Sequence, residues 1–329
     1  MTTRYIHIGY PKTGSTTLQK VFFSQHPELL NIASPKVFDR IQRDVMLMDS
    51  LAYSHSKVEA VLAPYFDLAD SRDEYKAVGL SYEGLCFSAD GTNADRGLIA
   101  ERLWRVFGDA RIIITIRNQF GFIRSLYSEF IKQMGCYLSF NQFLEAHYWR
   151  FDTYLFHQLF YYDLYQCYEK LFGKERVRIF LYEQIARDLD KAIEDMCLFL
   201  NISRCRVRHV RANPSLSRVS LSSMRIINRI VKNSYGRSYF MPVCPGVLTG
   251  GRGTARELNW APRGIERREA WRLFLKRNFR KLDRTFDFRT ANLTFSEEWK
   301  GRIANLYREN NQKLMEETGL DLRTYNYPL

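Results

Sequence analysis

The stretch from Gly9 to Thr16, GYPKTGST, constrains this chain more than any other. It follows Arg4–Gly9 (RYIHIG), where apolar and polar residues alternate as in a strand. It leads into Thr16–Gln25, where Leu18, Val21 and Phe22 recur at helical spacing. A glycine-bounded loop that leaves a strand and opens a helix brings backbone N–H groups and a helix N-terminus to one point, which suits an anion such as phosphate.

Further strands are expected at Tyr75–Tyr82 (YKAVGLSY), Ala110–Ile116 (ARIIITI) and Arg176–Tyr182 (RVRIFLY). The Ile112–Ile114 run has the near-continuous apolar character of a parallel strand buried on both faces. Helix-like patterns fall between them at Asp95–Phe107, Phe120–Met134, Phe140–Glu145, Tyr154–Phe172 and Leu189–Leu200. This alternation predicts an α/β fold of three layers, a P-loop-like parallel sheet with helices on both faces. A chain of 329 residues, 46% hydrophobic, suits a single domain, with residues 1–200 as the core. Residues 201–329 read as a basic, mainly helical extension that contributes to the site. It holds Gly250, Gly251 and Gly253 and helical patterns near Glu266–Phe279 and Ser296–Glu317.

The net charge of +13 is uneven. Arg204–Arg289 carries 21 Lys/Arg against 5 Asp/Glu, so this segment faces something acidic: nucleic acid, anionic membrane, anionic polysaccharide, a multiply phosphorylated cofactor, or only water. The first strand begins within a few residues of Met1, and no stretch reaches the roughly 18 apolar residues of a membrane span. A cytoplasmic protein is expected. Cys86, Cys136, Cys167, Cys197, Cys205 and Cys244 are scattered without ligand spacing and are expected to be reduced.

The loop differs from that of nucleotide triphosphatases, which place Lys directly after the second Gly. Here Ser15 stands in that place, the cation is Lys12 inside the loop, and Ser15, Thr16 and Thr17 supply three hydroxyls in succession. A Mg-nucleotide site also needs an acidic residue at a neighbouring strand end, yet Ile112–Ile116 ends in Arg117.

PKTGSTTLQ at Pro11–Gln19 resembles the 5'-phosphosulfate loop of sulfotransferases that use 3'-phosphoadenosine 5'-phosphosulfate (PAPS). The family's second landmark is a strand ending in Arg with a Ser eight residues on, both holding the 3'-phosphate. RNQFGFIRSLY at Arg117–Tyr127 is similar, with Ser125 at that spacing, and departs from the commoner spelling at Gln119. A guanidinium fork at a strand's C-terminal end suits phosphate on general grounds as well. Weaker echoes are Tyr182-Glu183, Arg211–Ser215, Gly319–Asp321 and Tyr327-Pro328; LTGGRGT with Arg252 matches the C-terminal cofactor loop of related enzymes too poorly to be assigned to it.

The resemblance implies PAPS as donor, adenosine 3',5'-bisphosphate (PAP) as product, and no metal. It implies donor contacts from Lys12, Thr13, Gly14, Ser15, Thr16, Thr17, Arg117 and Ser125, with Lys12 also stabilising the leaving group. Glu83, just past a strand end in LSYEGL, is the expected base, as in carbohydrate-directed members. His55 is the rival, while His7 and His209 read as structural. The expected acceptor is a hydroxyl or amine of a small molecule or glycan, with carbohydrate or glycolipid favoured. The aromatic run Tyr148–Tyr168 could stack on sugars, but its helical spacing favours core packing. Two other readings remain open: a kinase-like phosphotransferase with a rearranged Lys, and a nucleic-acid-binding protein using the basic segment. No nucleic-acid partner is expected on the sulfotransferase reading.

Overall fold

Five parallel strands form the sheet: β1 (Thr3–His7), β2 (Leu29–Asn31), β3 (Ala77–Ser81), β4 (Arg111–Ile116) and β5 (Val177–Leu181), in the order β2-β3-β1-β4-β5. The computed structural model describes residues 2–87, 95–149, 155–205, 217–230, 278 and 293–329. Strand β1 is central, paired with β3 from Thr3↔Ala77 to His7↔Ser81 and with β4 from Tyr5↔Arg111 to His7↔Ile113. After β1 the chain builds one side of the sheet and then the other. This order reverses at β1, and open α/β sheets bind ligands at such a switch point, beyond the strand C-termini.

Every residue of β3 is buried, and in β4 only Arg111 reaches solvent, so both are covered on two faces as the isoleucine run predicts. One face carries α1 (Ser15–Leu18), which continues as a π-helical turn through Gln19–Phe23, together with α9 (Leu189–Leu200). Leu18, Phe22, Ile193, Met196 and Leu200 pack there with Tyr5, Ile113 and Phe180. The remaining core helices are α2 (Pro35–Arg40), α3 (His55–Asp70), α4 (Arg96–Phe107), α7 (Tyr161–Phe172) and α8 (Tyr182–Arg187). Local signals set their ends. Asp95 accepts from the Leu98 N–H to begin α4, and Asp188 does the same for Lys191 at the start of α9. Asn201, left-handed at φ 57°, closes α9.

Two compact units result. The first joins Met1–Gln119, His157–Arg211 and Ile303–Leu329, and contains the sheet; the second joins Phe120–Phe156 and Ala212–Arg302. The second unit takes in most of α5 (Gln119–Glu129), α6 (Phe140–Tyr148) and α10 (Arg218–Ile230). An aromatic core of Tyr127, Phe130, Phe140, Phe143 and Phe295 holds it together. The Asn228 amide bridges it to the carbonyls of Ile131 and Cys136, at 2.9 and 3.1 Å. The last helix, α11, spans Glu297–Thr318.

The helix expected over Tyr154–Phe172 begins only at Tyr161. The carbonyls of His157, Gln158 and Leu159 are occupied by Arg96, by Tyr10 with Arg96, and by Gln119, which turns this stretch toward the strand ends. Tyr154 lies outside the described residues, as do Arg211–Ser215, His209, Cys244, the Gly250–Gly253 cluster with Arg252 and, apart from Asn278, the helix expected near Glu266–Phe279. Tyr161, Tyr165 and Tyr168 are buried, in keeping with core packing. Cys86, Cys136 and Cys197 are buried and Cys167 and Cys205 partly so; all five are free thiols. Among the described residues no helix is long and apolar enough to cross a membrane.

Arg102 on α4 is 2% exposed. Its Nη1 donates to the carbonyls of Asp44, Val45 and Met48 at 3.3, 3.0 and 2.8 Å, and its plane lies over the Tyr53 ring. The cation thereby caps the C-terminal end of the π-helical turn Ile41–Leu47, where the helix dipole favours it. Arg102→Met keeps the volume but strands those buried carbonyls, so urea denaturation should report a loss of about 3 kcal/mol, roughly one per acceptor.

Candidate functional site

The phosphate loop leaves the C-terminal end of β1, the Glu83 turn leaves β3, Arg117 leaves β4 and Tyr182-Glu183 leaves β5, so four chain segments meet at one edge of the sheet. Two loop residues adopt left-handed backbone, Lys12 at φ 65° and Gly14 at φ 82°. Gly14 opens α1: its carbonyl accepts from the N–H groups of Thr17 and Leu18, at 2.9 and 3.0 Å. The first turn of any helix leaves N–H groups without intrahelical acceptors, and here that turn follows directly on Lys12.

Arg117 and the loop are joined. Arg117 Nη1 donates to the Lys12 carbonyl at 3.0 Å, and its guanidinium lies over the Tyr182 ring at 4.3 Å from the centroid. The same ring lies against Gly14, where an added Cβ would meet it at 3.6 Å. The Tyr161 hydroxyl donates to the Arg117 carbonyl at 2.6 Å, and burial holds that phenol well above its ordinary pKa, so it remains a donor. Glu83 closes the other side, its carboxylate accepting from the Ser15 hydroxyl. Lys12, Ser15, Glu83 and Arg117 thus share one edge.

The residues that fix Arg117 come from distant chain. Glu183 accepts from the Asn118 N–H at 2.9 Å and from the Tyr327 hydroxyl at 3.1 Å. Asn118 Nδ2 donates to the Tyr325 carbonyl at 2.8 Å and to that of Asn326. Asn311 Nδ2 holds the Pro328 carbonyl at 2.7 Å. Asn118 escaped the sequence reading, Tyr161 figures there only within the aromatic run, and Tyr182, Glu183 and Tyr327 only as echoes. One usable signal was present: Tyr182 is the first residue after β5, a position equivalent to that of Arg117 after β4.

Beneath the loop lies a buried polar row. His7 Nδ1 is 2.6 Å from Ser81 Oγ and Nε2 is 3.2 Å from Thr115 Oγ1, which is 2.8 Å from Thr13 Oγ1. Full burial pushes the His7 pKa down to about 3, so the ring is neutral at physiological pH.

His55 is placed elsewhere. It lines a cavity of about 610 Å³ with Trp104, Gly108, Asp109 and Arg176, residues that lead into the N-terminal ends of β4 and β5. Lys12, Glu83 and Arg117 leave C-terminal strand ends. Ser125 is half-buried on α5 and belongs to the second unit, whereas Arg117 belongs to the first.

This constellation coincides with a family match: residues 6–205 fit the model described as the sulfotransferase family, which takes in the loop, Glu83, Arg117 and the Tyr182-Glu183 pair. The chain belongs to the sulfotransferase family. No curated protein sequence matches this sulfotransferase. Among solved structures it is similar to the sulfotransferase from Alicyclobacillus acidocaldarius, at 22% identity over 65% of this chain and 87% of that one, with a TM-score of 0.48. A mouse sulfotransferase complexed with PAP is 14% identical over 62% of this chain and 60% of its own, with a TM-score of 0.34. The sulfotransferase domain of the Synechococcus PCC 7002 olefin synthase is 15% identical over 79% and 96%, with a TM-score of 0.39.

Proposed function

We propose that this sulfotransferase takes its sulfonate from PAPS and delivers it to a hydroxyl or amine of a carbohydrate or glycolipid. One observation carries the donor assignment: the Lys12 loop, Glu83 and Arg117 occupy the ends of three adjacent strands, with Arg117 bonded to the loop itself at 3.0 Å. An ammonium, a guanidinium, a run of hydroxyls and first-turn N–H groups make a donor set suited to an anion charged at both ends. PAPS supplies an activated sulfonate and a stable nucleotide leaving group.

The protein's part is binding, orientation and proton movement. Lys12 with Thr13, Gly14, Ser15, Thr16 and Thr17 grips the 5'-phosphosulfate and neutralises charge growing on the departing bridging oxygen. Arg117 holds the 3'-phosphate. Glu83 Oε takes the proton as the acceptor atom bonds to sulfur and the sulfur–oxygen bond to PAP breaks. Its hydrogen bond to Ser15 keeps the carboxylate beside the loop, and a base at rest need not already stand at its working distance. The cations do the neutralising that Mg²⁺ does in phosphoryl transfer, so turnover should persist in excess EDTA. Loss with EDTA and recovery with Mg²⁺ would favour phosphotransfer instead. The glycan acceptor rests on the Glu83 position and the closing Tyr327-Pro328, which resemble carbohydrate-directed members.

Calorimetric titration with PAP tests the donor reading. Saturable binding is expected, weakened about tenfold in Arg117→Lys, because a single ammonium cannot serve the Lys12 carbonyl, the Tyr182 ring and a phosphate together. No heat with PAP, or equal affinity in the variant, counts against it.

A further inference from the structure

The polar row beneath the loop has one consistent assignment of its protons. Thr13 owns a single hydroxyl proton, which goes to the Tyr10 carbonyl. Thr115 must then donate to Thr13 across 2.8 Å, and with its own proton so engaged it accepts from His7 Nε2 at 3.2 Å. A neutral imidazole has one N–H, so Nδ1 is bare and accepts from the Ser81 hydroxyl at 2.6 Å. Ser81 Oγ in turn accepts from Gln19 Nε2 at 3.2 Å. The row therefore runs one way, from Gln19 through Ser81, His7, Thr115 and Thr13 to the Tyr10 carbonyl, with every hydroxyl proton and both ring nitrogens engaged.

Its anchor points matter. Ser81 stands two residues before Glu83 on β3, Thr115 two residues before Arg117 on β4, Gln19 lies just past α1, and Thr13 is inside the loop. His7 is the central member, on the strand between β3 and β4. Gly9 adds an independent sign of how closely the backbone is drawn in: a Cβ there would lie 1.8 Å from Thr115 Oγ1 and 2.5 Å from His7 Nε2, so any side chain would displace the row.

We propose that His7 is a positioning residue that ties the phosphate loop to the two strand ends carrying Glu83 and Arg117. The inference deepens the donor reading above and rests on it for its link to catalysis. His7 touches no reacting atom; it acts through Thr115 and Thr13, which set where Lys12 and the first-turn N–H groups stand. A histidine serves because the 1,3-related nitrogens of one rigid ring reach both neighbouring strands, one donating and one accepting.

Two matched pairs of variants test this. His7→Gln places an N–H near the Nε2 position and keeps the Thr115 contact, whereas His7→Asn keeps only the Ser81 side. Thr115→Ser keeps the relaying hydroxyl, and Thr115→Val removes it at nearly constant volume. Two readouts are needed, the PAP affinity by calorimetry and the hydrogen-exchange rates of amides 12–17 without ligand. His7→Asn and Thr115→Val are expected to weaken PAP about tenfold and to speed loop exchange, while His7→Gln and Thr115→Ser stay within about threefold of the parent. A role in packing alone predicts similar shifts within each pair, and that result, or unchanged loop exchange in His7→Asn, overturns the proposal. If the parent protein takes no PAP, the donor reading fails while the exchange pattern still judges His7. Should a His7 variant fail to fold, the Thr115 pair decides by itself.

Discussion

Lys12→Ala is expected to lower kcat by about 10²- to 10³-fold, the usual cost of removing one preorganised donor from a site where charge develops. PAP affinity should fall less, because Arg117, the loop hydroxyls and the first-turn amides remain. That contrast is the diagnostic part, since losing a residue that only bound the donor would lower affinity and leave kcat at saturating donor unchanged. The left-handed backbone at Lys12 adds a control. Lys12→Arg meets the same backbone demand and keeps the charge, so it should recover part of the rate if charge is what counts. Near-normal turnover in Lys12→Ala would refute the role.

Glu83→Gln carries the second large effect, a fall in kcat of about 10²- to 10⁴-fold if the carboxylate is the base. The amide oxygen can still accept from Ser15, so the loop contact survives and the loss reports on proton transfer. PAP should bind Glu83→Gln as it binds the parent. His55→Ala, measured at the same acceptor concentration, should remain active, because His55 faces the cavity that leads into β4 and β5. A dead His55 variant beside an active Glu83 variant would reverse the assignment.

The parts of this site that could be read from the sequence are those in which one short stretch carries both a structural and a chemical signal. Gly9–Thr17 announces strand, turn and helix through its glycines and apolar spacing, and Ile112–Arg117 announces a buried strand that ends on a cation. Glu83 needed only the recognition of β3 before it. What escaped depends on the third dimension. The Tyr182 ring over Arg117 joins residues 65 apart, and no local pattern marks such a partner. Strand β2 is three residues long, and α3 contains Pro64, which a sequence reader takes for a break. His55 is eligible on sequence grounds because an amino-acid string does not say which end of a sheet a helix will approach. His7 reads as structural in the sequence, and its two strand-crossing contacts depend on the β3-β1-β4 order, which emerges only when the sheet is assembled.

The attachment of residues 325–328 to Asn118, Glu183 and Asn311 has a kinetic corollary. Asn118 and its acceptors are 207 and 208 positions apart, and all strand pairing in the sheet is parallel, so no hairpin offers an early nucleus. Closing loops of that size forfeits chain entropy before any contact compensates, which makes such pairings slow to form. The clamp around Arg117 should therefore be among the last features to mature during refolding, with helical content recovered well before the guanidinium is seated.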